Sequence, residues 1–295
     1  MACLSLVILV TSSIVLASCH EMYDLAFVPH ECIKNRAIAA NYTPLGQVVR
    51  IGDLPVYEYE VPNNQNRSRM LVGVYDIYGF AYENLKQVMD QMAEQSGGFR
   101  VVMPDFYRGE SANPNDTQAE RQEWLARVGN WDTIVKPDLI NVVDHYKNDG
   151  VREFAIFGFC WGGSVSNQAS IELADRFKAS GLVHPSGVSN DTAVNVQIPM
   201  YLMPAQNDAD MSQYYEVLQT KFGDNCGHRR FTDMNHGFAG ARGNFSDPLN
   251  RQRVDEVITT LGAFFDRNLN NSNNVQPSGF LFVALITSFF FIARD

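Results

Sequence analysis

Short apolar runs alternate with segments whose apolar positions recur every three or four residues through most of this chain. The first kind predicts buried strands and the second amphipathic helices. Residues 48–51 and 56–61, on either side of Gly52-Asp53, read as a hairpin. Residues 70–75 read as a strand, followed by a helix over about 82–95 and a strand at 99–103. A loop through Pro114 leads to helices at 117–127 and 134–147, with Pro137 near the second one's first turn, where a missing N–H is tolerated. A strand at 154–159 precedes a helix over 164–176. Strands at 179–183, 200–203 and 229–231 follow, with helices at 211–222 and 249–267. Regular alternation of this kind predicts an α/β class fold, a mostly parallel central sheet flanked by helices on both faces. No repeat is visible and no long linker precedes Asn268, so residues 20–270 read as one domain.

One strand ends unusually. Phe154-Ala155-Ile156-Phe157 breaks into Gly158-Phe159-Cys160-Trp161-Gly162-Gly163, and helical sequence follows. Strand, sharp turn and helix around Gly-x-Cys-x-Gly is the setting of a nucleophile elbow, with sulfur in place of the usual hydroxyl. Glycines two residues either side leave room for the backbone to double back. The start of a helix also favours a thiolate, through unpaired amides and the helix dipole. A buried structural cysteine beside unrelated glycines is the competing reading.

A cysteine nucleophile needs a base and an orienting acid, which follow it in the order acid, then histidine, in an α/β-hydrolase. His236, in Met234-Asn235-His236-Gly237-Phe238 after the last strand, is the best histidine. His184 is the runner-up, but it comes too early in that order. The acid lies in the loop that contains Asn207-Asp208-Ala209-Asp210, where Asp208 or Asp210 could serve. Asp210 also suits the N-cap of the next helix, which leaves Asp208 as the preferred acid.

At these residues the chain resembles the dienelactone hydrolase family, over about residues 32–268. The motifs are Tyr75-Asp76-Ile77-Tyr78-Gly79, Met103-Pro104-Asp105-Phe106-Tyr107-Arg108-Gly109, the elbow, Asn207-Asp208 and His236-Gly237-Phe238. The resemblance implies an α/β-hydrolase with a Cys-Asp-His triad that cleaves esters or opens lactones, here Cys160, Asp208 and His236. It implies oxyanion donors at the backbone amides of Ile77 and Trp161, which also occupy the two places where this fold supplies them. It implies substrate-pocket roles for Asp76, Arg108 and Arg242, since arginines near these places hold a substrate carboxylate in bacterial lactone hydrolases. Two departures stand out: Asp76 replaces a usual glutamate beside the cysteine, and Arg242 lies further after the histidine than the pattern has it.

Composition adds the context. The 295 residues are 45% hydrophobic and 19% charged, which suits a globular core. A formal net charge of −10 without a basic cluster argues against nucleic acid as a partner. No metal motif, phosphate loop or dinucleotide fingerprint is present, so no cofactor is expected. Residues 1–19 read as a secretory signal peptide ending in Ala17-Ser18-Cys19, with a bacterial lipoprotein box as the alternative. Residues 271–295 read as a polar linker and hydrophobic tail, the order of a GPI-anchor signal. Sequons at Asn41, Asn66, Asn115, Asn190, Asn244 and Asn270 exceed chance and favour a eukaryotic secretory route, hence a secreted or cell-surface glycoprotein. Cys32 and Cys226 are then left as a candidate disulfide.

The resulting expectation is a hydrolase of small esters or lactones acting through an acyl-cysteine. The alternative is a catalytically idle surface protein that keeps the fold for binding. A cysteine protease fits less well, and oligomeric state is not readable.

Overall fold

The computed structural model describes residues 36–95 and 98–270. The leader, Cys32 and the hydrophobic tail lie outside the described residues. The strands are β1 (Gln47–Ile51), β2 (Leu54–Glu60), β3 (Arg69–Val74), β4 (Arg100–Pro104), β5 (Glu153–Phe159), β6 (Ser180–Val183), β7 (Met200–Met203) and β8 (Gly227–His228). The α-helices are α1 (Glu83–Ala93), α2 (Gln118–Val128), α3 (Lys136–Asn148), α4 (Trp161–Glu172), α5 (Ser212–Phe222) and α6 (Pro248–Asn270). The strands form one sheet in the order β1-β2-β4-β3-β5-β6-β7-β8. Pairings of β1 with β2 and β2 with β4 are antiparallel, and the rest are parallel.

This order follows from where the apolar runs are longest. Every residue of β3 is buried, and so is every residue of β5 after Glu153, so both strands must be covered on two faces. The crossover from β3 to β4 runs towards β1, whereas those from β4 to β5 and from β5 to β6 run towards β8. Because such crossovers are right-handed, α1 packs on one face and α3 and α4 on the other. The reversal puts a topological switch point between the carboxyl ends of β3 and β5, where open α/β sheets place their ligands.

Two elements differ from the sequence expectation. Helix α4 begins at Trp161, three residues before Ser164, because the elbow's own glycines turn straight into it. The last strand is Gly227–His228 rather than 229–231, with Phe231 reaching only an isolated bridge to Ala205. Arg229 bonds to Glu256, and Arg230 reaches back to the carbonyls of Gln206, Asp208 and Ala209, which draws the chain off the sheet edge.

Residues 36–46 form a strap ahead of β1. Ile38 N–H donates to the Ala241 carbonyl at 2.9 Å. Further along, the Asp90 carboxylate on α1 accepts from Tyr42 Oη at 2.8 Å, Leu45 N–H at 2.8 Å and Tyr57 Oη at 2.6 Å.

The tightest packing lies at the elbow. A Cβ on Gly158 would collide with the Gly162 carbonyl, and one on Gly162 would lie 2.6 Å from the Tyr75 carbonyl oxygen and closer still to that of Val74. These neighbours are backbone and cannot step aside. Gly162→Ala is therefore expected to cost at least about 3 kcal/mol, roughly 6–12 °C in Tm, measurable by thermal unfolding.

Candidate active site

Cys160 is the hinge between β5 and α4. Its φ of 54° and ψ of −113° are unusual for a residue with a side chain, and strain of this kind gathers at functional sites. The turn is held from both sides. Cys160 N–H donates to the Val183 carbonyl at 3.2 Å, and the Cys160 carbonyl accepts from Gly163 and Ser186 amides, each at 3.0 Å. The side chain is only 2% exposed. Its Sγ lies 3.3 Å from Ser186 Oγ.

His236 joins this sulfur through a side-chain hydrogen bond. Its Nδ1 lies 2.6 Å from Asp208 Oδ1, and its backbone N–H donates to Asn207 Oδ1 at 2.8 Å. The other Asp208 oxygen accepts the Ala205 amide at 2.7 Å, which fixes the carboxylate in the turn after β7. Asp210 faces elsewhere and accepts from Ser212 at the start of α5. The three residues from three strand ends thus meet at one edge of the sheet.

The surroundings of His236 act strongly on its proton. Burial works against a proton on His236, but the negative sulfur of Cys160 and the hydrogen bonds to Asp208 and Cys160 outweigh it and push its pKa up to about 10. A sulfur and a carboxylate in contact with one imidazole ring favour its protonated form.

Asp76 is 2% exposed and follows β3. Its Oδ1 accepts the Tyr78 amide at 3.0 Å and its Oδ2 accepts the Ala241 amide at 2.8 Å. It therefore ties the turn after β3 to the loop after His236. Burial raises its proton affinity, opposed by those two amides and by the charges of Arg242 and His236. Among the described residues, no hydrogen bond engages the amides of Ile77 or Trp161, which stand at the ends of β3 and β5.

The two arginines are placed differently. Arg242 folds under the histidine loop and donates to the His236 carbonyl. Arg108 turns its fork onto Asp138, with bonds of 2.7 and 3.1 Å, and its Nε lies 3.4 Å from Asp53. Cys226 is a buried thiol whose Sγ lies 3.1 Å from the Gly223 carbonyl; its pairing with Cys32 falls outside the described residues. Of the sequon asparagines, Asn41, Asn115, Asn190, Asn244 and Asn270 are exposed and Asn66 is half-buried.

Two further residues enter the site from the end of β6. Ser186 meets the sulfur, and His184 is fully buried with its ring centroid 5.0 Å from that of His236. The signal for both was their position. His184-Pro185-Ser186 directly follows a parallel strand, at the same sheet edge as the other site residues. Among the described residues no cluster of His, Cys, Asp and Glu could hold a metal ion.

The sequence profile of the dienelactone hydrolase family matches residues 56–269. The chain belongs to that family. It is 29% identical over 256 residues to an AIM2 family protein of Schizosaccharomyces pombe, an alignment covering 79% of this chain and 97% of the relative. It is 23% identical to a carboxymethylenebutenolidase homolog of Mus musculus, over 75% of this chain and 90% of that one. In structure it is similar to a dienelactone hydrolase from Anabaena variabilis, with a TM-score of 0.52 and 13% identity over 76% of this chain and 97% of that chain. That likeness shows the fold, an α/β-hydrolase with its mostly parallel sheet. Family membership makes the protein a hydrolase acting on a small molecule.

The charge state of the site can be read chemically. An ordinary thiol becomes more reactive as pH climbs through about 8.5. Here the imidazolium loses its proton only near 10. Iodoacetamide alkylation of Cys160 is expected to be nearly level from neutral pH to about 9, and to regain an ordinary thiol's steep rise in His236→Ala. Peptide mapping of the alkylated product at each pH measures this.

Proposed function

We propose that this hydrolase cleaves small carboxylic esters or lactones through an acyl-cysteine. The observation that carries the reading is the bonded series of Cys160, His236 and Asp208, with the 2.6 Å His236–Asp208 contact at its end. Cys160 Sγ attacks the carbonyl carbon. The developing oxyanion is received by the Ile77 and Trp161 amides, a contribution typically worth about 10²–10³ in kcat per donor. His236 gives its proton to the leaving alkoxide, which stays tethered when the substrate is a lactone. Acylation removes the charge on sulfur that kept His236 protonated, so the imidazole can then take a proton from water. Asp208 orients it throughout.

The test is a hydrolysis screen of small esters, thioesters and lactones. Cys160→Ala and His236→Ala are each expected to lose at least about 10³-fold in kcat/KM on the best substrate. Full activity in either variant overturns the mechanism. Absence of hydrolysis by the wild-type protein, with no labelling of Cys160 by an electrophilic ester, favours the idle binding protein instead.

Arg242, beside His236, is the arginine better placed for a substrate carboxylate. Arg108 is committed to Asp138 and Asp53, so its main role is to hold the loop after β4. Arg108→Met is expected to lower Tm while changing kcat/KM by less than about threefold for uncharged esters. A loss confined to carboxylate-bearing esters would give Arg108 a substrate role.

The same reading places the protein outside the cell or on its surface as a glycoprotein, possessing a cleaved leader and a lipid-anchored tail. The exposure of five sequon asparagines supports it. Release from cells by a GPI-specific phospholipase is the expected behaviour, and retention after that treatment counts against the anchor.

A further inference from the structure

We propose that His184 holds the water that cleaves the acyl-enzyme. This rests on the acyl-cysteine reading above and assigns the second half of the reaction to a residue outside the Cys-Asp-His set.

His184 is the first residue past β6, between the strand that ends in the nucleophile and the strand that leads to the acid. Its ring is 0% exposed, in a slot walled by Phe159 at 5.7 Å, Phe238 at 5.6 Å and His236 at 5.0 Å between centroids. Among the described residues neither ring nitrogen has a hydrogen-bond partner beyond a contact with its own backbone. Its backbone φ is 36°, a left-handed conformation unfavourable for a residue with a side chain. A phenyl ring would suit this aromatic slot without leaving two polar atoms unpaired, and buried polar atoms are rarely left so without a use. The protein carries both costs at one residue, in ring contact with the base.

The charged groups around this ring define its state. His236 meets it at 65° in an edge-to-face contact. Arg242 acts on it from the histidine loop. Asp76 lies across Gly240, where a Cβ would be 2.5 Å from Asp76 Oδ2 and 3.5 Å from His184 Cε1. Burial, and then the charges of His236 and Arg242, drive its proton affinity well down, so the ring is neutral. A neutral imidazole has one N–H and one lone pair, which can accept a hydrogen from a water and leave the water's other hydrogen for His236.

The step balances as follows. Water forms a C–O bond to the thioester carbonyl carbon, and its proton passes to His236 Nε2. Collapse of the tetrahedral adduct breaks the C–S bond, the electron pair returns to sulfur, and a carboxylic acid departs. The thiolate–imidazolium pair is restored without any other reagent. His184 changes neither charge nor bonding.

The experiment is pre-steady-state hydrolysis of p-nitrophenyl acetate by the full chain and by His184→Phe and His184→Gln. His184→Phe is expected to keep kcat/KM, which reports acylation, within about threefold while kcat falls at least about tenfold. Acetyl-Cys160 should then accumulate in the intact mass. His184→Gln, still able to bond a water, should recover part of kcat. Equal loss of kcat and kcat/KM in both variants, or no acetyl-enzyme build-up in either, overturns the proposal. If His184→Phe does not fold, the kcat to kcat/KM split in His184→Gln decides alone. A wild-type protein that never becomes acetylated contradicts the acyl-cysteine reading itself, a separate outcome from failure at His184.

Discussion

The site depends on how closely two strand ends approach. The turn leaving β5 crosses the end of β3 with backbone against backbone, Gly162 against the carbonyls of Val74 and Tyr75. No side chain fits in that crossing. The approach brings the Asp76-Ile77 turn beside Cys160, and it fixes the angle at which the sulfur leaves the sheet. It also accounts for the odd backbone of Cys160, since a chain reversing in so little space cannot use ordinary dihedrals. The rigid part of the chemistry is therefore supplied by backbone. The side chains that join it arrive from β6, β7 and the loop that carries His236.

Electrostatically the site turns on His236, whose proton is favoured by Cys160 and Asp208 against its burial. The proposed acyl-cysteine route uses that balance: acylation removes the charge on sulfur, and the same histidine then serves as base. Asp76 contributes by construction: its two oxygens hold amides from two loops, so the nucleophile side and the histidine side stay in register.

Much of this was legible in the sequence. The glycine spacing around Cys160 has one steric meaning, and the order of Asp208 and His236 after it follows from the fold. Sheet class was equally plain, because β3 and β5 are continuous apolar runs that need cover on both faces. What escaped depended on side-chain direction in three dimensions. Arg108 looked available until the fold set Asp138 against it. The short last strand was hidden because Arg229 and Arg230 find their partners off the sheet. Ser186 gave no motif of its own, only a place just beyond a strand, and periodicity says nothing of which turn residue reaches a neighbour's sulfur.

The strap ahead of β1 links two parts of the molecule that the chain order keeps far apart. Ile38 is bonded to the carbonyl of Ala241, whose own amide is bonded to Asp76. The two bonds use the carbonyl and the amide of a single residue, so the strap and the Asp76 carboxylate are joined through Ala241. The entry of the chain into the domain and the loop that carries His236 therefore share one anchoring residue, whereas among the described residues the exit through α6 makes no bond to Ala241.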